Sequence, residues 1–193
     1  MQKERLQKLT RCAILIALAT VLSLVKIYQM PLGGSVTLLS MLPICLISYM
    51  YGIGWGVAGA FLYSAIQMFL DLGSILSWGL SPWAIVGTIF FDYLFAFTIL
   101  GFAGMLGNKK SGWLGVMAGT VIVFIGRFAC HLISGTLIFD IWLPEEWSNP
   151  FVYSIVYNGQ FMLPELILTV IALSVFIGVP YVRKKFLTRF FAN

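Results

Sequence analysis

Long apolar stretches, separated by only a few polar residues, dominate this sequence. Apolar residues make up 60% of its 193 positions and charged residues 10%, and the mean hydropathy is +0.96. Several stretches approach or exceed the roughly 18 residues that indicate a membrane span. A soluble domain of this length could not bury so much apolar surface in one core. The sequence therefore predicts an all-α integral membrane protein.

Six transmembrane helices account for the length of the chain, at about 20 residues each. We expect a single six-helix membrane domain over residues 1–193, with no separate soluble domain. The basic and then apolar opening also suits a signal peptide, but no small-residue cleavage site follows, so a retained first span is favoured. The predicted spans are Leu9–Tyr28, Val36–Met50, Trp55–Phe69, Trp83–Met105, Trp113–Ile138 and Val152–Val179.

Basic clusters predict the orientation of these spans. They lie before span 1, between spans 4 and 5, and after span 6: Lys3, Arg5, Lys8, Arg11, Lys109, Lys110, Arg183, Lys184, Lys185 and Arg189. With six spans they share one side, which the positive-inside rule makes cytoplasmic. Both termini, as short basic ends at 1–8 and 183–193, are then cytoplasmic. Because the basic residues flank membrane spans, the net charge of +5 indicates a lipid bilayer as the partner and not nucleic acid.

Small residues at four-residue spacing form two stripes that would let helix backbones approach closely in lipid. Ala13 and Ala17 lie on the first span, where contact with another protein is at least as well supported as internal packing. For the second stripe internal packing is favoured; it consists of Gly52, Gly56, Ala60 and Ser64.

Four ionisable residues lie inside the predicted spans: Asp92, Arg127, His131 and Glu165. Each costs about 2.5–3.5 kcal/mol on insertion scales, so such residues usually have a partner or a function. The topology places Asp92, His131 and Asn158 at matching depths on the outer side. We expect a ligand pocket open to the outside, with Arg127 and Glu165 below it as a buried ion pair. A bridge that only orients the helices is the alternative for that pair.

Aromatic residues crowd the outer ends of the predicted spans: Tyr28, Trp78, Trp83, Tyr93, Phe139, Trp142, Trp147, Tyr153 and Tyr157. Around a pocket that contains Asp92, they suit a flat, cationic ring through stacking and cation–π contact.

Catalytic, metal and nucleotide signatures are missing from the sequence. There is no evident Ser-His-Asp set, and one histidine rules out a histidine-based metal cluster. Cys12, Cys45 and Cys130 lie in or beside apolar segments without ligand-like spacing, which argues against zinc and disulfides. We therefore expect a transport or binding protein, not an enzyme, with no cofactor of its own.

Four segments together carry a family resemblance: PLGGSVTLLSMLP (residues 31–43), FFDYLFAF (90–97), RFACHLISG (127–135) and YSIVYNG (153–159). They resemble the thiamine-specific S-components of energy-coupling factor (ECF) transporters, from Ala13 to the last span. The resemblance implies an S-component-like bundle of six helices that captures thiamine from outside. A transmembrane coupling subunit and two cytoplasmic ATPases, which use the ATP, would then drive its release.

The resemblance also implies roles for individual residues. Asp92 would bind the head of thiamine, with Tyr93 beside it, and His131 would contact the rings. Tyr153 and Asn158 would complete the pocket. Ala13 and Ala17 match the small-residue motif that docks against the coupling subunit.

Departures from the family pattern leave alternatives. Some members carry Glu where Asp92 stands, and some place a stacking tryptophan where this chain has Phe139, with Trp142 one turn on. An S-component for another vitamin is one alternative, and a stand-alone carrier that moves protons through Asp92, His131 and Glu165 is a second. An intramembrane enzyme that uses His131 and Asp92 is the weaker reading.

Overall fold

Seven helices form a single bundle in the computed structural model, which describes residues 2–108 and 111–191. Within those residues, five helices are long and apolar enough to cross a membrane, and α2 is a shorter apolar helix. The helices are α1 (Gln2–Leu24), α2 (Met41–Tyr51), α3 (Ile53–Ser77), α4 (Pro82–Leu106), α5 (Gly112–Leu137), α6 (Pro150–Gly178) and α7 (Pro180–Phe186).

A β-hairpin replaces the predicted end of span 1 and the predicted start of span 2. Strand β1 (Lys26–Gln29) pairs antiparallel with β2 (Ser35–Thr37), and Gln29 lies opposite Ser35. The strands contain the β-branched or aromatic residues Ile27, Tyr28, Val36 and Thr37, residue types that favour strands. The Pro-Leu-Gly-Gly connection provides the turn. The second span is therefore shorter than predicted, since α2 has 11 residues and extends only about 16 Å at 1.5 Å per residue.

Helix α4 is irregular along most of its length. Its first turns are α-helical over Pro82–Thr88, a π-helical segment follows over Ile89–Phe95, and the end is a 3-10 helix over Ile99–Leu106. Helical segments of the π type occur frequently at functional sites. This one carries two of the predicted pocket residues, Asp92 and Tyr93.

The second small-residue stripe packs inside the bundle, as predicted. Gly56, Ala60 and Ser64 of α3 are buried. A Cβ atom on Gly56 would lie only 2.3 Å from the carbonyl oxygen of Gly101 in α4. Glycine at this position therefore lets α3 and α4 come into backbone contact.

The C-terminal segment packs against one end of the bundle, where α2 and α4 finish. Phe190 is fully buried, and its ring meets that of Tyr49 edge-on at 5.5 Å between centroids. The backbone of Gly112 donates a hydrogen bond to the carbonyl of Phe190 at 2.9 Å. The basic residues after α6 thus lie at this end, and the hairpin lies at the other. The predicted basic pair Lys109 and Lys110 falls outside the described residues.

Candidate ligand-binding site

A cavity of about 240 Å³ lies at the hairpin end of the bundle. Its wall contains predicted site residues from four segments: Asp92, Tyr93, His131, Phe139, Tyr153 and Asn158. Trp142 is the predicted residue that the wall lacks. It is 47% exposed, because the 3-10 turn Phe139–Trp142 leads the chain out of the bundle after its first residue. The cavity itself has the size of a small-molecule site, somewhat below the usual range of about 300–1,000 Å³.

Asp92 is held by two side chains of α5. His131 Nδ1 lies 2.8 Å from Asp92 Oδ1, and the Ser134 hydroxyl donates to Oδ2. A carboxylate only accepts hydrogen bonds, so the proton of a neutral His131 is on Nδ1 and its Nε2 is an acceptor. That Nε2 atom is buried and has no hydrogen-bond partner among the described residues. The pair therefore offers a buried acceptor nitrogen beside an oriented carboxylate.

Asn158 is fixed with a defined orientation. Its Nδ2 donates to the backbone carbonyl of Ser154 at 2.9 Å and to that of His131 at 3.4 Å. The hydrogen bonds found for this amide in the described chain all use Nδ2, which leaves Oδ1 as an acceptor. The residue is buried, with 5% of its surface exposed. A directional acceptor is thus placed beside the His131 backbone.

Aromatic rings line α6 at four-residue spacing. Tyr153 and Tyr157 have centroids 5.9 Å apart, and Tyr157 and Phe161 have centroids 6.1 Å apart. The His131 ring meets Phe161 edge-on at 6.0 Å. All of these residues belong to the cavity wall. Residues four apart share one helix face, a spacing that could have identified Phe161 from the sequence.

The hairpin covers the cavity and is tied to α6. The Tyr157 hydroxyl donates to the carbonyl of Pro31 and accepts from the backbone N–H of Gly34 at 3.4 Å. Trp78, at the end of α3, approaches the turn closely, since a Cβ atom on Gly33 would lie 3.3 Å from its ring. The same ring packs edge-on against Phe139 at 5.6 Å. The turn is therefore held between α3 and α6.

The predicted ion pair between Arg127 and Glu165 is wrong, because each side chain has other partners. The guanidinium of Arg127 lies 4.5 Å from the centroid of the Phe97 ring and donates to the sulfur of Met41. Glu165 is 1% exposed and accepts from both the backbone N–H and the hydroxyl of Thr37, at 2.6 and 2.7 Å. Among the described residues Arg127 and Glu165 form no salt bridge, because the hairpin places Thr37 on the Glu165 carboxylate. Arg127 lines the cavity, and Glu165 anchors the hairpin.

Asp71 is a cavity residue that the sequence reasoning missed. The predicted third span ended at Phe69, which left Asp71 in an outer loop. In the structure α3 continues to Ser77, so Asp71 faces the cavity and accepts from the Tyr93 hydroxyl at 3.2 Å.

The first small-residue stripe lies on the outer surface of the bundle. Ala13 and Ala17 are exposed, whereas Cys12 and Ile16 on the adjacent face of α1 are buried. Internal packing within this chain does not explain the stripe, which leaves contact with another protein as the prediction.

Comparison with known proteins identifies relatives along almost the whole chain. The family model described as thiamine transporter protein (Thia_YuaJ) matches residues 9–184. The thiamine transporter ThiT of Bacillus subtilis is 31% identical over 185 residues, which cover 89% of this chain and 91% of that protein. The solved structure of ThiT from Listeria monocytogenes superposes with a TM-score of 0.72 at 23% identity. It covers 93% of this chain and 98% of its own, and it shows that the fold is shared.

Proposed function

This chain belongs to the thiamine transporter protein family, and we propose that it is the substrate-binding subunit of an ECF-type vitamin transporter that captures thiamine. It is a multi-pass protein of the cell membrane. The observation that carries the proposal is the Asp92–His131 pair in an aromatic-lined cavity. This combination matches the chemistry of a flat, cationic heteroaromatic ligand.

Each wall of the cavity suits one part of thiamine. The aromatic rings offer stacking and cation–π surface to a positively charged thiazolium. Asp92 can accept from an amino group on the pyrimidine, and Asn158 adds a directional hydrogen bond. A ligand that lacks these groups leaves buried polar atoms unpaired, which is the physical basis of selectivity.

The proposed topology has six spans, of which α2 is the short one, and both termini in the cytoplasm. The hairpin end then faces outside, since the basic residues of α1 and the C-terminal segment belong to the opposite end. The chain needs no cofactor and carries out no chemistry on its ligand. A transmembrane coupling subunit docks at Ala13 and Ala17, and two ATPases provide the energy.

Calorimetric titration of the purified, detergent-solubilised protein with thiamine tests the binding step. We expect binding by the parent and its loss in Asp92→Ala, because the variant removes the acceptor for the amino group and leaves His131 without its partner. Asp140→Ala is a matched control, since Asp140 is exposed at the same end but is not part of the cavity wall. Mass spectrometry should recover thiamine unchanged, which an enzyme would not allow. No heat from a well-folded parent would remove thiamine as the ligand.

Uptake by reconstituted vesicles tests the coupling step. We expect Ala17→Trp to bind thiamine like the parent but to lose ATP-dependent uptake with the coupling subunit and ATPases. Val175→Trp places the same ring on the exposed surface of α6 and should transport normally. Uptake by this chain alone, without the ATPases, would instead indicate a stand-alone carrier.

A further inference from the structure

Two carboxylates line the cavity in different surroundings. Both oxygens of Asp92 accept hydrogen bonds, one from His131 and one from Ser134. Asp71 accepts from the Tyr93 hydroxyl through Oδ2 at 3.2 Å. Within the described part of the chain, no hydrogen bond reaches Asp71 Oδ1. Asp71 is half-buried, so this oxygen is available to the cavity.

Among the residues that the structure describes, no cation forms an ion pair with Asp71. The basic residues in the cavity wall are Lys26 and Arg127, and in residues 2–108 and 111–191 neither lies within 4.0 Å of the Asp71 carboxylate. The guanidinium of Arg127 is directed onto Phe97. Lys26 is exposed in the hairpin, where solvent screens its charge. Ionisable residues within a membrane helix are costly and commonly mark a substrate pathway, and Asp71 fits that description.

We propose that Asp71 is the counter-charge for the cationic ring of the ligand, while Asp92 recognises a hydrogen-bond donor group. The inference deepens the proposed function and rests on it. The division follows from the neighbouring positions of Asp92 and Tyr93 on α4, where Asp92 contacts α5 and Tyr93 contacts α3. Tyr93 donates to Asp71 Oδ2, which leaves Oδ1 for the cationic ring.

The charge of the ring can be tested separately from its shape. The two probes are thiamine and a neutral isostere in which a thiophene replaces the thiazolium, each titrated calorimetrically. We expect Asp71→Asn to weaken thiamine binding by about tenfold, equivalent to about 1.4 kcal/mol, and to change isostere binding by less than about twofold. Asparagine keeps an acceptor for Tyr93, so only the charge is removed. Asp140→Asn, an exposed carboxylate outside this cavity, should change neither affinity.

The outcomes separate this inference from the proposed function. Equal weakening of both probes would mean that Asp71 acts only through packing, and unchanged affinities would mean that it takes no part; either result overturns the inference and leaves thiamine binding in place. A folded parent that binds neither probe overturns both proposals.

A second variant covers the case in which Asp71→Asn does not fold. Tyr93→Phe removes the hydroxyl and retains the carboxylate, so the preference for thiamine over the isostere should survive even if both bind more weakly. Loss of that preference in Tyr93→Phe would contradict a counter-charge at Asp71.

Discussion

Glu165→Gln should destabilise the protein by releasing the hairpin from α6. The carboxylate accepts two hydrogen bonds from Thr37, one from its backbone N–H at 2.6 Å and one from its hydroxyl at 2.7 Å. Glutamine has one oxygen and one NH₂ group. The amide oxygen can still accept from the Thr37 N–H, but the NH₂ group donates, so the Thr37 hydroxyl must change from donor to acceptor, and both contacts lose their charged partner.

The expected loss of stability follows from the charge and the burial of this contact. Hydrogen bonds to a charged group contribute about 1.5–3 kcal/mol each and neutral ones about 0.5–1.5 kcal/mol. Two bonds change in this way at a side chain that is 1% exposed, so the expected total loss is about 1.5–3 kcal/mol. For a chain of this length, 1 kcal/mol shifts the melting temperature by about 2–4 °C. We therefore expect Glu165→Gln to melt roughly 3–12 °C below the parent on the same scale.

Thermal unfolding in detergent, followed by tryptophan fluorescence, measures this effect. Glu4→Gln is the control, because Glu4 is an exposed carboxylate on α1 and its neutralisation should leave the melting temperature unchanged. Thr37→Val should also destabilise, and the double variant should lose less than the sum of the two single losses. A Glu165→Gln protein that melts with the parent, or strictly additive losses, would refute the anchoring role.

Three further variants have defined outcomes. Ser134→Ala removes a donor to Asp92 and should weaken thiamine binding by up to about tenfold in calorimetry with little change in melting temperature; an unchanged affinity would contradict this. Tyr157→Phe removes the hydroxyl that donates to Pro31, so stopped-flow fluorescence should show faster thiamine dissociation, and an unaltered rate would mean that the hairpin does not retain the ligand. Gly119→Ala would place a Cβ atom 2.1 Å from a carbonyl oxygen of α4 and should lower stability by about 1–3 kcal/mol in thermal unfolding; a parent-like melt would contradict the close packing of α4 and α5.

The long spans could be predicted because lipid selects for continuous apolar helices. Spans 5 and 6, predicted as Trp113–Ile138 and Val152–Val179, lie within two residues of the observed Gly112–Leu137 and Pro150–Gly178. Hydropathy alone failed at the hairpin, where Val36 is apolar enough to extend a predicted span but pairs with Tyr28 in a strand. Apolar character does not distinguish a buried strand from a helix in so short a segment.

The cavity residues could be predicted from polarity and depth. Asp92, His131 and Asn158 line one cavity because polar groups at equal depth on neighbouring helices bury each other. Their role in binding a ligand remains a prediction. Asp71 was missed because a charge near the end of an apolar run ends the predicted span, although α3 in fact continues past it.

The partner of Glu165 could not be predicted from charge alone. Opposite charges at similar depth suggested Arg127, but the backbone of Thr37 competes for the carboxylate. That contact depends on a hairpin whose position no periodicity in the sequence reveals. Without the position of the hairpin, the sequence could not identify Thr37 as the partner of Glu165.

A crystal structure of the protein grown with thiamine would show where the ligand binds. We expect one thiamine molecule in the cavity beneath the hairpin, with its aminopyrimidine hydrogen-bonded to Asp92 or Asn158 and its rings against the aromatic side chains of α6. Thiamine bound outside this cavity would contradict the proposed binding site.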